Sequence, residues 1–139
     1  MLKRINPLLG PDLLHSLRAM GHGDEIAIVD GNYPALEHAR RLVRADGHGI
    51  LAVLDAILSL LPLDDFVEHA VFLPEPPSPQ PIHDALRETV ARHDADAAVR
   101  VLPAAGFYAR VRDAHCVVAT GEPLLYANII VRKGVIRPE

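Results

Sequence analysis

Residues 21–31 read Gly21-His22-Gly23-Asp24-Glu25-Ile26-Ala27-Ile28-Val29-Asp30-Gly31. The apolar run Ile26–Val29 lies between acids and shows no polar alternation, the pattern of a strand buried on both faces. Upstream, Gly10-Pro11-Asp12 predicts a helix start, with proline where the first turn tolerates it and an acid beside the positive end. Leu13, Leu14, Leu17 and Met20 then recur at helical spacing, and Gly21 supplies a stop. A helix, a glycine-flanked turn and a doubly buried strand point to an α/β fold.

The same alternation continues along the chain. Ala35–Arg41 reads as a short helix and Leu42-Val43 as a short strand. Residues 50–61 predict a helix in which only Asp55 is charged. A helix apolar on nearly all sides needs cover on nearly all sides, and a neighbouring subunit is the expected source. His69–Leu73 reads as a buried strand, and the proline-rich stretch 74–81 as a stiff surface loop. Ile82, Ala85, Leu86, Thr89 and Val90 mark one face of an amphipathic helix. Val99–Leu102 predicts a strand, Ala104–Arg112 a helix, and Cys116–Ala119 and Ala127–Arg132 two further strands. The expected result is a largely parallel sheet covered on two faces. The last two strands have no helix between them, which allows one antiparallel pair.

Composition narrows the function. A chain of 139 residues, half of them apolar, is expected to form one domain over 1–139 and to bury about two thirds of its unfolded surface. One cysteine and no leader segment suggest a reducing, cytoplasmic setting. A net charge of −4 argues against nucleic acid and anionic membrane as partners. The longest apolar stretch, Ile50–Leu63, falls short of the about 20 residues a spanning helix needs. Aromatic residues at 4% make a poor base-stacking platform.

Eight histidines invite a metal site, yet none are spaced i, i+4, and a single cysteine excludes thiolate zinc sites. No metal is therefore expected. Phosphate loops and nucleophile elbows are also missing from the sequence. His22 remains, an imidazole on a tight turn whose glycines permit sharp backbone bends, although a helix cap with an exposed histidine would look the same. Asp30 closes the first strand, at the end where open α/β sheets bind ligands, or else serves as a turn aspartate. Tyr126 and Asn128 open the last strand and, by strand alternation, should share a face. A phenol beside a carboxamide suits a polyol.

Taken together, Gly21-His22-Gly23-Asp24-Glu25-Ile26, Asp30, Pro34, Arg44-Ala45-Asp46-Gly47, Phe107-Tyr108, Arg110, Thr120-Gly121-Glu122 and Tyr126-Ala127-Asn128-Ile129-Ile130 resemble the RbsD/FucU family of small sugar isomerases. The resemblance covers essentially the whole chain and is stronger to the L-fucose branch than to the D-ribose branch. It implies a three-layer α/β/α sandwich with a mostly parallel, mixed central sheet. It implies a monosaccharide substrate, no cofactor, and a homo-oligomeric ring, often a decamer. It also implies His22 as the catalytic acid, with Asp30, Tyr126 and Asn128 binding the sugar. Where the fucose branch carries a sugar-binding arginine, this chain has Ala104.

Mutarotation needs a proton delivered to the ring oxygen and another removed from the anomeric hydroxyl. Histidine suits that exchange near neutral pH, and Asp30 can hold the opposite hydroxyl. A non-catalytic sugar-binding accessory of uptake and a D-ribose pyranase are the alternative functions. A receiver-like signalling domain would need paired acids at the first strand's end and a further aspartate at a later strand's end, and only Asp30 is so placed. His22 and Asp30 flank one strand and so stand over about a dozen ångströms apart. Either the His22 loop folds back over the sheet edge, or different subunits supply the two groups.

Overall fold

The computed structural model describes residues 1–139. In chain order the elements are α1 (Pro11–Ala19), β1 (Glu25–Val29), α2 (Ala35–His38), β2 (Leu42–Ala45), α3 (Ile50–Leu58) and β3 (Val71–Pro74). There follow α4 (Pro81–His93), β4 (Val99–Leu102), α5 (Ala104–Asp113), β5 (Cys116–Thr120) and β6 (Ile129–Arg132). The six strands form one sheet in the order β2-β5-β1-β6-β3-β4. Strands β1 to β5 share one direction, and β6 alone runs against them.

Strand alternation sorts the core into two layers. Ile26, Ile28, Cys116, Val118, Ile129 and Val131 face α1, α3 and α4 in a cluster of 24 buried residues. Ala27, Val29, Val117, Ala119 and Ile130 face α2 and α5 in a cluster of 11. The expected α/β/α sandwich around a mixed sheet is therefore present.

Three readings of the sequence need correction. The last two strands do not pair: β5 lies between β2 and β1, while β6 is inserted between β1 and β3 and is antiparallel to both. The apolar helix ends at Leu58, and α1, α4 and the sheet cover its Ile50, Val53, Leu54, Ala56 and Ile57. That helix consequently supplies no argument for a subunit contact. Finally, β6 begins at Ile129, so Tyr126 and Asn128 precede it. Tyr126 has a φ of 60°, a left-handed turn that breaks strand alternation. Tyr126 is exposed and Asn128 buried, so they do not share a face.

The loop before Tyr126 is fixed from below. The buried Glu122 accepts the Ile50 amide with Oε1 at 3.1 Å and the Leu124 amide with Oε2 at 3.2 Å. A carboxylate at a helix N-terminus satisfies an orphan amide and meets the positive end of the helix. Gly121 lies so close to Asp46 that a Cβ there would overlap the Asp46 carbonyl. Glu122→Ala should lower stability by about 1–3 kcal/mol, because it leaves the buried Ile50 amide unpaired. Denaturant unfolding measures this, and Glu122→Gln should recover part of the loss.

Candidate active site

The parallel strands give the sheet two chemically distinct edges. At the edge where β1 begins, the turn after α1 carries His22. Lys133, just past β6, donates Nζ to the carbonyls of Leu17 and Met20 at 2.9 and 2.6 Å, closing the negative end of α1. The Gly23 amide donates to Lys133 O, and the Lys133 amide to Asp24 O. Gly23 takes a φ of 89°, and a Cβ there would meet the Arg132 guanidinium at 2.9 Å. The positive φ favours glycine at this position, and a side chain there would also displace the Arg132 guanidinium. The turn is clamped to this edge and does not fold back.

His22 meets two residues that sequence reading missed. Its Nε2 lies 3.0 Å from Asp64 Oδ1, and its ring meets Phe66 edge-on at 4.8 Å between centroids. The Asp64 side chain is 1% exposed and that of His22 36%. Asp64 also accepts Arg132 Nε at 2.8 Å and the Phe66 amide at 3.0 Å. Burial alone would raise the Asp64 carboxyl, but Arg132, the Phe66 amide and His22 outweigh it and hold it at about 2. An ionised carboxylate only accepts, so His22 Nε2 carries a proton and Nδ1 is the nitrogen left for chemistry. Farther along, Arg132 approaches Glu25 at 3.8 Å. Glu25 in turn takes a two-pronged bond from Arg110 at 2.7 and 2.6 Å.

At the opposite edge, Asp30 and Asn128 come together, and Tyr126 lies two residues before Asn128 in the turn that leads to β6. Asn128 Oδ1 accepts the Asp30 amide at 2.8 Å. Asp30 Oδ1 accepts the Asn32 amide at 2.9 Å. Tyr126 is held by its carbonyl, which the buried His83 meets through Nε2 at 2.7 Å. Burial pushes the Asp30 carboxyl up, and the surrounding amides and the Asn128 side chain hold back part of that shift. Asp30 opens onto a cavity of about 720 Å³ that is also lined by Tyr33, Arg44, Asp46 and Thr120. The structure thus joins Asp30 to Asn128, brings the backbone of Tyr126 to the same edge of the sheet, and places His22 at the other. The five residues of β1 lie between, about 16 Å of strand.

Comparison with known proteins agrees with this architecture. Residues 3–136 match the model of the RbsD / FucU transport protein family. The chain belongs to this family. Among its RbsD/FucU relatives, the fucose mutarotase of Danio rerio is 40% identical over 100% of this chain and 97% of its own. The fucose mutarotase of Homo sapiens is 41% identical over 97% and 94%. A crystal structure of the fucose mutarotase of Streptococcus pneumoniae in complex with L-fucose superposes with a TM-score of 0.91. It is 41% identical and covers 98% of this chain and 100% of that one.

Asp64 gives the RbsD/FucU chain a measurable signature. A carboxyl held at about 2, against an ordinary 3.8, stabilises the fold above the ordinary value. That contribution is lost as pH falls from about 4 through 2. Asp64→Asn should be less stable than the parent by roughly 2 kcal/mol near neutral pH. The gap should narrow between about pH 4 and pH 2, as followed by chemical denaturation at each pH.

Proposed function

We propose that this chain is a cofactor-independent mutarotase of free L-fucose whose active site is completed between two copies. The observation that carries the reading is the His22–Asp64 pair. A half-exposed imidazole is oriented by a buried carboxylate that is itself fixed by Arg132. That arrangement commits one ring nitrogen and frees the other for proton transfer. The names of the Danio rerio and Homo sapiens relatives, and the L-fucose held by the Streptococcus pneumoniae neighbour, support the choice of sugar.

The chemistry follows from the two edges. Protonated Nδ1 of His22 delivers its proton to the ring oxygen as the C1–O5 bond breaks. The anomeric hydroxyl gives up its proton as C1=O forms, with Asp30 holding or accepting it. Rotation about C1–C2 and the reverse transfers close the ring on the other face. Asn128 fixes Asp30, and Tyr126 offers a phenol at the mouth.

The two halves need a second copy to meet. Phe66 and Val67 are exposed beside His22, at 61% and 38%. Leu124 and Leu125 are exposed beside Tyr126 at the other edge, at 52% and 60%. Two different apolar patches at opposite ends favour a head-to-tail contact, and such contacts close into rings when the rotation permits. A ring, with a decamer as one form, is the assembly this reading expects.

Anomer exchange of L-fucose measured by saturation-transfer NMR should accelerate with the protein and not change with EDTA. No acceleration with fucose, ribose or galactose would overturn the enzyme reading and favour a sugar-binding accessory. His22→Ala should lower the rate by roughly 10²- to 10⁴-fold while remaining folded. Subunits carrying His22→Ala, mixed with subunits carrying Asp30→Asn after dissociation, should regain about a quarter of the parent activity. The intact halves then meet by chance at shared sites in the ring. A site built within one chain would regain none. Sedimentation showing only the 15.1 kDa chain would exclude the shared site.

A further inference from the structure

Between α2 and α5 lies a polar cluster that the proposed reaction does not use. Arg112 Nη2 lies 3.0 Å from His38 Nε2, and Tyr33 Oη lies 2.9 Å from His38 Nδ1. The two contacts together fix every proton. Arginine has only donors, so His38 Nε2 must be the acceptor. A neutral imidazole then carries its hydrogen on Nδ1 and donates it to Tyr33 Oη. Burial and the nearby Arg112 charge both pull the His38 imidazole down, which keeps it neutral. Burial pushes the Tyr33 hydroxyl up, which keeps it protonated. With its oxygen already accepting from His38, the phenol has its own proton to give elsewhere.

Its position says where that proton goes. Tyr33 lines the same cavity as Asp30, three residues before it in the chain. The cavity wall's other neutral side-chain donor is engaged, and its one cation spends two of its five N–H groups on a neighbour. Thr120 donates to Val29 O at 2.7 Å, and Arg44 is bound twice by Asp46 at 2.9 and 2.6 Å. The Tyr33 ring packs against Tyr108 at 5.7 Å. Tyr108 is one turn beyond Ala104, so both stand on the same face of α5. Ala104 is exposed and offers only a methyl group there. The cavity edge beside Asp30 has an acceptor in Asp30 and, among its neutral side chains, one uncommitted donor in Tyr33.

We propose that Tyr33 is a sugar-contacting, specificity-determining residue, its hydroxyl committed by Arg112 and His38 to donate to one oxygen of the monosaccharide. Arg112 and His38 are positioning residues that act through it. The assignment rests on the mutarotase reading of the Asp30 edge. It adds that sugar selection depends on a donor–acceptor pair, Tyr33 and Asp30, at that edge.

Tyr33→Phe removes the hydroxyl and keeps the ring. It should raise the KM for L-fucose roughly 3- to 10-fold, the usual share of one neutral hydrogen bond, with a smaller change in kcat. The deciding readout is a set of monodeoxy L-fucose analogues. The parent should discriminate against one of them, and Tyr33→Phe should lose that discrimination alone. A structural role would weaken all analogues alike and would overturn the assignment. The His38 tautomer, read from ¹⁵N shifts in the parent protein, needs no variant to fold. Protonation at Nδ1 supports the wiring, and protonation at Nε2 overturns it. Arg112→Gln should shift that tautomer and raise KM in the same direction. If the parent protein itself fails to exchange fucose anomers, the mutarotase reading falls. If the parent is active and Tyr33→Phe matches it on every sugar, only the Tyr33 assignment falls.

Discussion

Strand β6 runs between β1 and β3 against the direction of both, and both candidate half-sites depend on that reversal. A parallel strand would carry its N-terminal residues to the edge where β1 begins. The antiparallel one carries Tyr126 and Asn128 to the edge where β1 ends, and Arg132 and Lys133 to the edge where it begins. One short strand therefore anchors both half-sites. Asn128 accepts the Asp30 amide at one end. At the other, Lys133 closes α1 and pairs with the His22 turn. Ile129, Ile130 and Val131 are almost wholly buried between the helical layers, so neither end can shift without disturbing the core.

The edge around His22 is a chain of alternating charges. His22 meets Asp64, Asp64 meets Arg132, Arg132 meets Glu25, and Glu25 meets Arg110. Arg110 completes the series by lying over the Phe72 ring at 3.6 Å. A carboxylate as buried as Asp64 is tolerable only when its lone pairs are met, and removing one partner leaves an uncompensated charge. The arrangement therefore couples α5 and the sheet to the orientation of one imidazole. Its worth lies more in geometry than in net stability, since buried ion pairs lose much of their attraction to desolvation.

Much of the fold was legible because burial patterns are local. The uninterrupted run Ile26–Val29, the Pro11 start of α1 and the spaced apolar residues of α4 each state their structure within a few positions. Pairing partners are not local, and nothing in Ile129–Arg132 announces that it enters mid-sheet between strands over fifty residues upstream. The cover of α3 was misassigned for the same reason: α1 and α4 supply it from distant sequence. Asp30 and His22 stood out by turn chemistry and by family resemblance. Asp64 did not, because Leu63-Asp64-Asp65-Phe66 reads as an acidic surface turn. Its partners His22 and Arg132 lie 42 and 68 residues away. Tyr126 was placed on a strand because only backbone geometry reveals its left-handed φ.

The separation of His22 from Asp30 has a chemical logic. Within hydrogen-bond reach, an imidazole and a carboxylate pair with each other, as His22 and Asp64 do, and each lowers the other's availability to substrate. Asp30 instead sits at the far edge without a cationic partner, where burial pushes its carboxyl up. A carboxyl so placed gains more than a solvated one from a sugar hydroxyl that donates to it. Its neighbours are similarly underused: Tyr33 has a spare proton, and Tyr126 is exposed. The unmet hydrogen bonds of one edge and the oriented imidazole of the other are complementary. Exposed apolar side chains flank both edges, Phe66 beside the imidazole and Leu124 and Leu125 beside Tyr126, so the shared site proposed above would bury apolar surface as it joins them.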